Sequence, residues 1–257
     1  MLDINLKNIV EDLIDTFLYA GQISLNLRKK GLIKKIKSDE TPVTNGDIEV
    51  NKILTNKLLK LTPNIPIVSE ETSDNKSVTG LQNFWLVDPI DGTYDYLNDL
   101  EEFTINAGLV LNRKPVAGLI NAPSKRRMFY SYEKGASFEL TNEKLIKLDC
   151  SKKTNKNSIK FVSYSNKLKS EIKKIHKDLG VTEHVRMKSS LKFCLIATGE
   201  YDGYVAEPRA CEWDIAAGHS ILENAGGSIT DFDGNKILYG KENFKNPSLI
   251  VKRSKNL

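Results

Sequence analysis

The chain has 257 residues, of which 40% are hydrophobic and 28% charged, a composition typical of a folded globular protein and not of a disordered one. Its 38 basic and 33 acidic residues leave a net charge of +5. The sequence lacks the basic stripe interleaved with aromatic residues that would indicate a nucleic-acid polymer as partner. No apolar run approaches the roughly 20 residues of a membrane span, which argues against integral membrane contact.

The cysteines and histidines are few and widely spaced. Three cysteines are an odd number without Cys-x-x-Cys spacing, which argues against a disulfide framework and favours a reducing compartment. The charged residues near the start are unlike a secretory signal, so a cytoplasmic protein is expected. The three histidines, His176, His184 and His219, lack the spacing of a metal site, and we interpret them as structural or surface groups. Cys194 and Cys211 are interpreted as core thiols and not as nucleophiles.

The first elements in the chain are two predicted helices. Apolar residues recur near a helical period over residues 4–28, and Gly31 follows as a plausible end. The polar stretch 37–47 predicts an exposed loop. A second helical pattern covers residues 47–61, where Asp47 near its start is suited to capping free N–H groups.

Strands follow, and several of them end in acidic residues. A short strand over residues 65–69 runs into Glu70 and Glu71, and the apolar run 84–87 predicts a buried strand. Three further strands separated by turns predict an antiparallel meander over residues 103–111, 116–121 and 128–132.

The polar, Lys- and Asn-rich segment after Cys150, through Asn157, is the predicted boundary between a half over residues 1–150 and a half over residues 151–257. Ser189 is the predicted N-cap of one helix in the second half, and Asp214 lies near the start of the last. The predicted elements there are strands over 159–163, 201–205 and 228–231, and helices over 168–179, 189–198 and 215–224.

Residues 88–93, Asp-Pro-Ile-Asp-Gly-Thr, stand where the buried strand breaks. Asp88 and Asp91 repel each other on a kinked backbone unless a cation lies between them, and carboxylate and carbonyl oxygens are the ligands that Mg²⁺ prefers. An ordinary Asp-Pro turn is the alternative interpretation. Glu70 and Glu71 form a second acidic cluster at a strand end, which favours the metal site.

Together these stretches resemble the inositol monophosphatase superfamily, which comprises Mg²⁺-dependent, lithium-sensitive phosphomonoesterases with a layered αβαβα fold. The matching stretches are Ser69-Glu70-Glu71, residues 88–93, Trp213-Asp214, Ala216-Ala217-Gly218 and Gly226-Gly227. Within that superfamily the chain is most similar to bacterial 3′(2′),5′-bisphosphate nucleotidases of the CysQ type, which remove the 3′-phosphate of adenosine 3′,5′-bisphosphate in sulfate assimilation. Residues 37–44, 102–106, 189–194 and 212–219 carry that similarity.

The resemblance implies an α/β fold with an antiparallel N-terminal sheet, a smaller C-terminal α/β half and the site between them. It also implies two or three Mg²⁺ ions, which screen the phosphate and activate water. The implied metal ligands are Glu70, Asp88, the Ile90 carbonyl, Asp91 and Asp214. Asp47 and Thr93 would orient a metal-bound water, with Glu71 close by. The implied substrate contacts are Gly92, Thr93, Ser189, Lys192 and Arg209.

Two departures from the nucleotidase pattern leave the substrate open. The family's Ser-Arg-Ser-His stretch is here residues 163–166, Ser-Tyr-Ser-Asn, and its Tyr-Pro-Arg is Tyr204-Val205-Ala206 with Arg209 displaced along the chain. Glu207 matches a glutamate that inositol monophosphatases place on sugar hydroxyls, so an inositol- or sugar-phosphate phosphatase is the alternative. A non-catalytic phosphate-binding regulator is a more remote alternative. The superfamily also leads us to expect a homodimer, and it leaves peripheral association with the inner membrane open.

Overall fold

The structure is a computed structural model that describes residues 5–37, 40–71, 80–152, 158–254 and 257. Its helices are α1 (Leu6–Lys30), α2 (Asn45–Leu61), α3 (Thr93–Leu97), α4 (Ser170–Asp178), α5 (Leu191–Ala197) and α6 (Glu212–Asn224). Its strands are β1 (Lys34–Ile36), β2 (Pro42–Thr44), β3 (Ile67–Ser69), β4 (Phe84–Asp91), β5 (Thr104–Leu111), β6 (Lys114–Ala122), β7 (Arg127–Glu133), β8 (Ala136–Thr141), β9 (Lys144–Lys147), β10 (Lys160–Ser163), β11 (Glu183–Arg186), β12 (Gly203–Ala206), β13 (Ser228–Thr230) and β14 (Leu249–Lys252).

The larger sheet has seven strands in the order β3-β4-β5-β6-β7-β8-β9. The predicted meander is confirmed, since β5, β6 and β7 pair antiparallel in sequence order. The pair β3–β4 is parallel, however, so the sheet is not antiparallel throughout. Strands β8 and β9 were not predicted from the sequence. All four residues of β9 are exposed at the edge of the sheet, so its sequence lacks the alternation that marks a half-buried strand.

The smaller sheet has five strands in the order β11-β10-β12-β14-β13, of which β11, β10 and β12 run parallel. A separate hairpin, β1–β2, occupies part of the stretch that was expected to be an exposed loop. That expectation is wrong for Val43, Thr44 and Asp47, which are buried at the end of β2 and the start of α2. Ser38 and Asp39 of the same stretch lie outside the described residues.

Helices and sheets alternate in five layers, as the resemblance implied. One buried cluster joins α1 and α2 to one face of the seven-stranded sheet. A second cluster joins the opposite face to α5 and α6, and then to the inner face of the five-stranded sheet. Ile172 of α4 packs on Phe161 and Val205 at the outer face of that smaller sheet. The sandwich therefore reads α, β, α, β, α.

The central layer joins the two predicted halves of the chain. Its buried cluster includes Phe84 and Ile120 from the first half and Phe193 and Ile221 from the second. The division at residue 150 remains a prediction about sequence organisation, and residues 153–157 of the boundary lie outside the described part. No helix in the described part of the chain combines the length and apolar character that crossing a bilayer requires.

The start of α5 corrects one prediction. The N-cap of α5 is Ser190 and not Ser189, and its side chain makes no capping hydrogen bond. The hydroxyl of Ser190 is instead turned toward Asp91 and toward the backbone carbonyl of Asp214. The tertiary contacts of this serine therefore override the local capping preference.

Candidate active site

The site forms where β4 ends. The pairing of β4 with β5 is regular up to Asp88 and shifts before Asp91, so the strand carries an irregularity between the two carboxylates. Gly92 follows with φ of +95°, and α3 begins at the next residue. A Cβ atom at Gly92 would lie 2.7 Å from the backbone oxygen of Glu102. Only glycine combines this left-handed conformation with so close an approach of backbone.

Four carboxylates act on one another at this strand end. Asp88 is buried, and burial together with the charges of Glu70, Asp91 and Asp214 raises its pKa well above the usual range. Burial, Asp91 and Glu70 likewise raise the pKa of Asp214 to about 8. Asp214 lies on α6, so the fold brings an acidic group of the second half to those of the first. Repulsion between these buried carboxylates therefore dominates the electrostatics of the site.

Each of three carboxylates already has a partner of its own. The Asp91 Oδ2 atom accepts hydrogen bonds from the backbone N–H and hydroxyl of Ser190. The Asp214 Oδ2 atom accepts from the backbone N–H of Cys211 at 2.7 Å. Lys37 lies 3.5 Å from the Glu70 carboxylate. These contacts fix the side chains at defined positions around the end of β4.

Lys37 also joins the neighbouring acidic residue. Its Nζ atom donates to the Glu71 Oε1 atom at 2.7 Å, and both side chains are largely buried. The hairpin β1–β2 thereby brings one cation to the Glu70–Glu71 pair. The sequence analysis included Lys37 in a matching stretch and gave it no role.

The oxygen donors at the site match those that a divalent cation requires. Four carboxylates and a backbone carbonyl are oxygen ligands of the kind that Mg²⁺ prefers. The Asp88 Oδ1 atom is buried and has no hydrogen-bond partner, which is the state of an oxygen available to a cation. Among the described residues, no three acidic, His or Cys side chains already form a metal-binding group. The oxygen donors fit Mg²⁺, and the carboxylates would have to turn toward it to share one ion.

Asp47 and Thr93, the residues expected to orient water, lie on different elements. Asp47 occupies the third position of α2, where its Oδ2 atom accepts from the backbone N–H of Thr44 at 2.8 Å. Burial raises the pKa of Asp47 to about 6, and the charge of Glu71 adds to the effect. The hydroxyl of Thr93 donates to the carbonyl oxygen of Ile90 at 3.2 Å.

A cleft of about 460 Å³ opens beside these groups. Two of the carboxylates reach it, and so do four cationic side chains and three tyrosines. Its lining residues are Asp91, Gly92, Tyr94, Tyr164, Arg186, Lys188, Lys192, Phe193, Tyr204, Arg209, Ala210, Asp214, Ile215 and Leu249. The cleft thus offers negative charge for a cation and positive charge for an anion within one cavity.

Lys192 and Arg209, two of the predicted substrate contacts, line this cleft. The Nζ atom of Lys192 donates to the backbone oxygens of Lys188 and Ser189 at 2.9 and 2.7 Å. Burial lowers the pKa of this ammonium, whereas the charges of Asp91 and Asp214 act in the opposite direction.

Two other predicted contacts are placed elsewhere. Ser189 is fully buried, its hydroxyl has no hydrogen-bond partner, and it is absent from the lining of the cleft. Glu207 lines an adjoining cleft of about 340 Å³ and pairs with Lys169 at 2.9 Å. Arg209 lines both clefts, whereas Glu207 lines the adjoining one and is absent from the lining of the first, and the chain bends at Pro208 between them.

A model of the inositol monophosphatase family matches residues 6–256. The chain belongs to that family. The match covers both sheets and every carboxylate described above, so the resemblance seen in three short motifs extends over the whole fold.

Two relatives at 30% identity or more and one solved structure carry the same name. A 3′(2′),5′-bisphosphate nucleotidase CysQ from Aggregatibacter actinomycetemcomitans is 31% identical over 249 residues, which cover 95% of this chain and 92% of the relative. The nucleotidase of the same name from Salmonella typhimurium is 35% identical over 217 residues, 84% of this chain and 87% of the relative. The crystal structure of CysQ from Bacteroides thetaiotaomicron aligns with a TM-score of 0.76 and 27% identity, covering 96% and 97% of the two chains.

Sequence reasoning missed three residues that line the cleft of this family member: Tyr94, Arg186 and Lys188. Tyr164, known from the sequence as a departure from the family pattern, stacks under Arg209, whose guanidinium carbon lies 3.2 Å from the centroid of its ring. Lys188 directly precedes the Ser189-Ser190 pair, and Tyr94 directly follows Thr93. The sequence marks these residues only as neighbours of a motif, and adjacency does not show which neighbours of a motif face the cavity.

Proposed function

We propose that the chain is a Mg²⁺-dependent 3′(2′),5′-bisphosphate nucleotidase that releases the 3′-phosphate of adenosine 3′,5′-bisphosphate to give AMP. One observation carries the choice of substrate. Lys192 and Arg209 line a cleft with Asp91 and Asp214, and Glu207 is absent from that lining. Glu207 is paired with Lys169 in the adjoining cleft, which Arg209 borders as well. The names of the relatives support the same activity.

Glu70, Asp88, Asp91, Asp214 and the Ile90 carbonyl would hold the metal ions, two or three in number. Bound Mg²⁺ would supply Lewis-acid chemistry, which screens the phosphate charge and lowers the pKa of water. The buried, unpaired Asp88 Oδ1 atom and the mutual repulsion of the carboxylates support this assignment.

The start of α3 would bind the phosphate that is cleaved. Gly92 has no Cβ, so the backbone N–H groups of Gly92 and Thr93 can approach phosphate oxygens closely. Asp47 and Thr93 would orient the attacking water, with Glu71 nearby. In this role Thr93 would have to turn its hydroxyl away from the Ile90 carbonyl, to which it now donates.

Lys192 and Arg209 would hold the second phosphate of the substrate. Their charges stand at the same cavity as the carboxylates, so an anion with two phosphates can span both kinds of group. Tyr164, which replaces an arginine of the family pattern, supports the guanidinium of Arg209 from beneath. On this proposal Arg209 supplies the positive charge that the family takes from another position.

The decisive experiment measures phosphate release from adenosine 3′,5′-bisphosphate and from inositol 1-phosphate, each with Mg²⁺, without it and with lithium added. We expect activity on the nucleotide that requires Mg²⁺ and falls with lithium. A preference for inositol 1-phosphate would instead support the sugar-phosphate alternative and return Glu207 to the substrate site. Inactivity with Mg²⁺ across a panel of phosphate esters would favour a regulator.

Size-exclusion chromatography with light scattering would test the expected homodimer.

A further inference from the structure

Lys188 occupies a position at the cleft that the proposed roles leave unused. Its Nζ atom lies 3.1 Å from the Asp95 Oδ1 atom and 4.3 Å from the centroid of the Tyr94 ring. Asp95 and Tyr94 belong to α3, which follows Gly92, whereas Lys188 precedes α5 in the second half of the chain. The contact therefore reaches across the cleft between the two halves.

The burial of this pair is unequal. The side chain of Asp95 is 4% exposed and that of Lys188 is 20% exposed. A carboxylate so deeply buried requires a cation, and Lys188 supplies it. The exposed part of Lys188 lines the cleft that also holds Lys192 and Arg209. An ammonium group has three N–H donors, so its hydrogen bond to Asp95 leaves others for a ligand.

Two further contacts hold Lys188 in place. Its backbone oxygen accepts a hydrogen bond from the Lys192 Nζ atom at 2.9 Å, which couples the positions of the two lysines. The face of Tyr94 attracts the ammonium through its ring electrons. An ammonium held by a carboxylate and by a ring face has lost much of its freedom before a substrate arrives, so a bound anion orders it at a small further cost in entropy.

We propose that Lys188 is a further specificity-determining residue, a cation for the second phosphate of the substrate, and that Asp95 positions its ammonium at the cleft. The inference rests on the proposed nucleotidase function and adds a third cation to Lys192 and Arg209. It predicts that the charge of Lys188 distinguishes adenosine 3′,5′-bisphosphate from adenosine 3′-monophosphate, which lacks the second phosphate.

The test compares kcat/KM for these two nucleotides and takes their ratio as the measure of selectivity. We expect Lys188→Met to lower the ratio roughly 10- to 100-fold, the effect of losing a hydrogen bond to a charged group. Lys160→Met is the matched control. Lys160 pairs with Glu183 at 2.8 Å on the smaller sheet and is not among the lining residues of the cleft. The selectivity ratio of Lys160→Met should therefore equal that of the wild type.

A double variant separates binding from folding. Lys188→Met alone leaves the buried Asp95 carboxylate unpaired, so it is compared with Lys188→Met/Asp95→Asn, which removes both charges and keeps the shapes. We expect the double variant to recover thermal stability and to keep the low ratio. Recovery of the ratio in the double variant, or a ratio unchanged in Lys188→Met, would overturn the inference. A wild-type protein without preference for the bisphosphate would overturn the proposed function and this inference with it.

Discussion

At the scale of single residues, Gly92 is the position where conformation and function are joined most closely. We expect Gly92→Ala to lose stability and phosphatase activity together. The left-handed backbone alone costs a side chain about 1–2 kcal/mol, and the added Cβ would lie 2.7 Å from the Glu102 oxygen. Thermal unfolding and phosphate release measure the two losses.

Gly135→Ala is the matched control for that variant. Gly135 has φ of +77°, and nothing lies within 4 Å of a Cβ built on it. It therefore bears the conformational cost without the collision and lies outside the cleft lining. Equal melting temperatures and equal activities of the two variants would contradict the assignment of a special role to the backbone at Gly92.

At the scale of elements, the cap of α2 places Asp47. The Thr44 hydroxyl accepts from the backbone N–H of Gly46 at 3.0 Å and donates to the Asp47 Oδ2 atom at 2.5 Å. We expect Thr44→Ala to lower the free energy of unfolding by about 1–2 kcal/mol, the usual range for an N-cap. It should also lower activity, because Asp47 loses a partner that fixes its carboxylate. Urea unfolding and steady-state kinetics provide the two readouts.

Thr44→Ser retains the hydroxyl and serves as the control. It should keep most of the stability and activity, since serine caps helices at least as well as threonine. If Thr44→Ser lost as much as Thr44→Ala, the methyl group and not the cap would be the important feature, and the link between the cap and Asp47 would fail.

At the scale of the whole molecule, α6, which carries Asp214, packs closely against the large sheet. Gly108 on β5 would place a Cβ 2.7 Å from the Ala216 Cβ atom, and a Cβ at Gly118 on β6 would collide with the Ala217 oxygen. We expect Gly118→Ala to cost about 1–3 kcal/mol through overpacking. Activity should fall as well, because α6 carries Asp214 and must move away from the sheet.

Ala117→Val tests whether displacement of α6 is the cause. Ala117 neighbours Gly118 on β6 and packs in the other buried cluster, against α1 and α2. We expect Ala117→Val to lose about as much stability as Gly118→Ala, because it overpacks the face of the sheet that points away from the site. Calorimetry and kinetics would then show two destabilised variants, of which Gly118→Ala alone is impaired in catalysis. A matching loss of activity in Ala117→Val would contradict a specific role for the α6 contact.

The sequence alone predicted most elements whose burial leaves a regular pattern. The long amphipathic helix α1 ends at Gly31 as expected, and the apolar run of β4 leads into the acidic motif. It did not predict the strands β8, β9, β11 and β14, of which β9 is fully exposed, and it failed where a tertiary contact replaces a local one, as with Ser190 and Asp91. Propensity acts over a few residues, and these two features depend on partners elsewhere in the fold.

By itself the sequence determined the family, because its motifs are written in consecutive residues. That resemblance implied the layered architecture and named the carboxylates expected at the site. Only the tertiary structure decided which side chains share the cleft. It brings Asp214 to Asp91, places Arg209 at the border of both clefts and Glu207 in the adjoining one, and adds Lys188. The physical reason is that the cavity lies where two sheets and α6 meet, and the packing of that helix on Gly108 and Gly118 fixes which residues face each other.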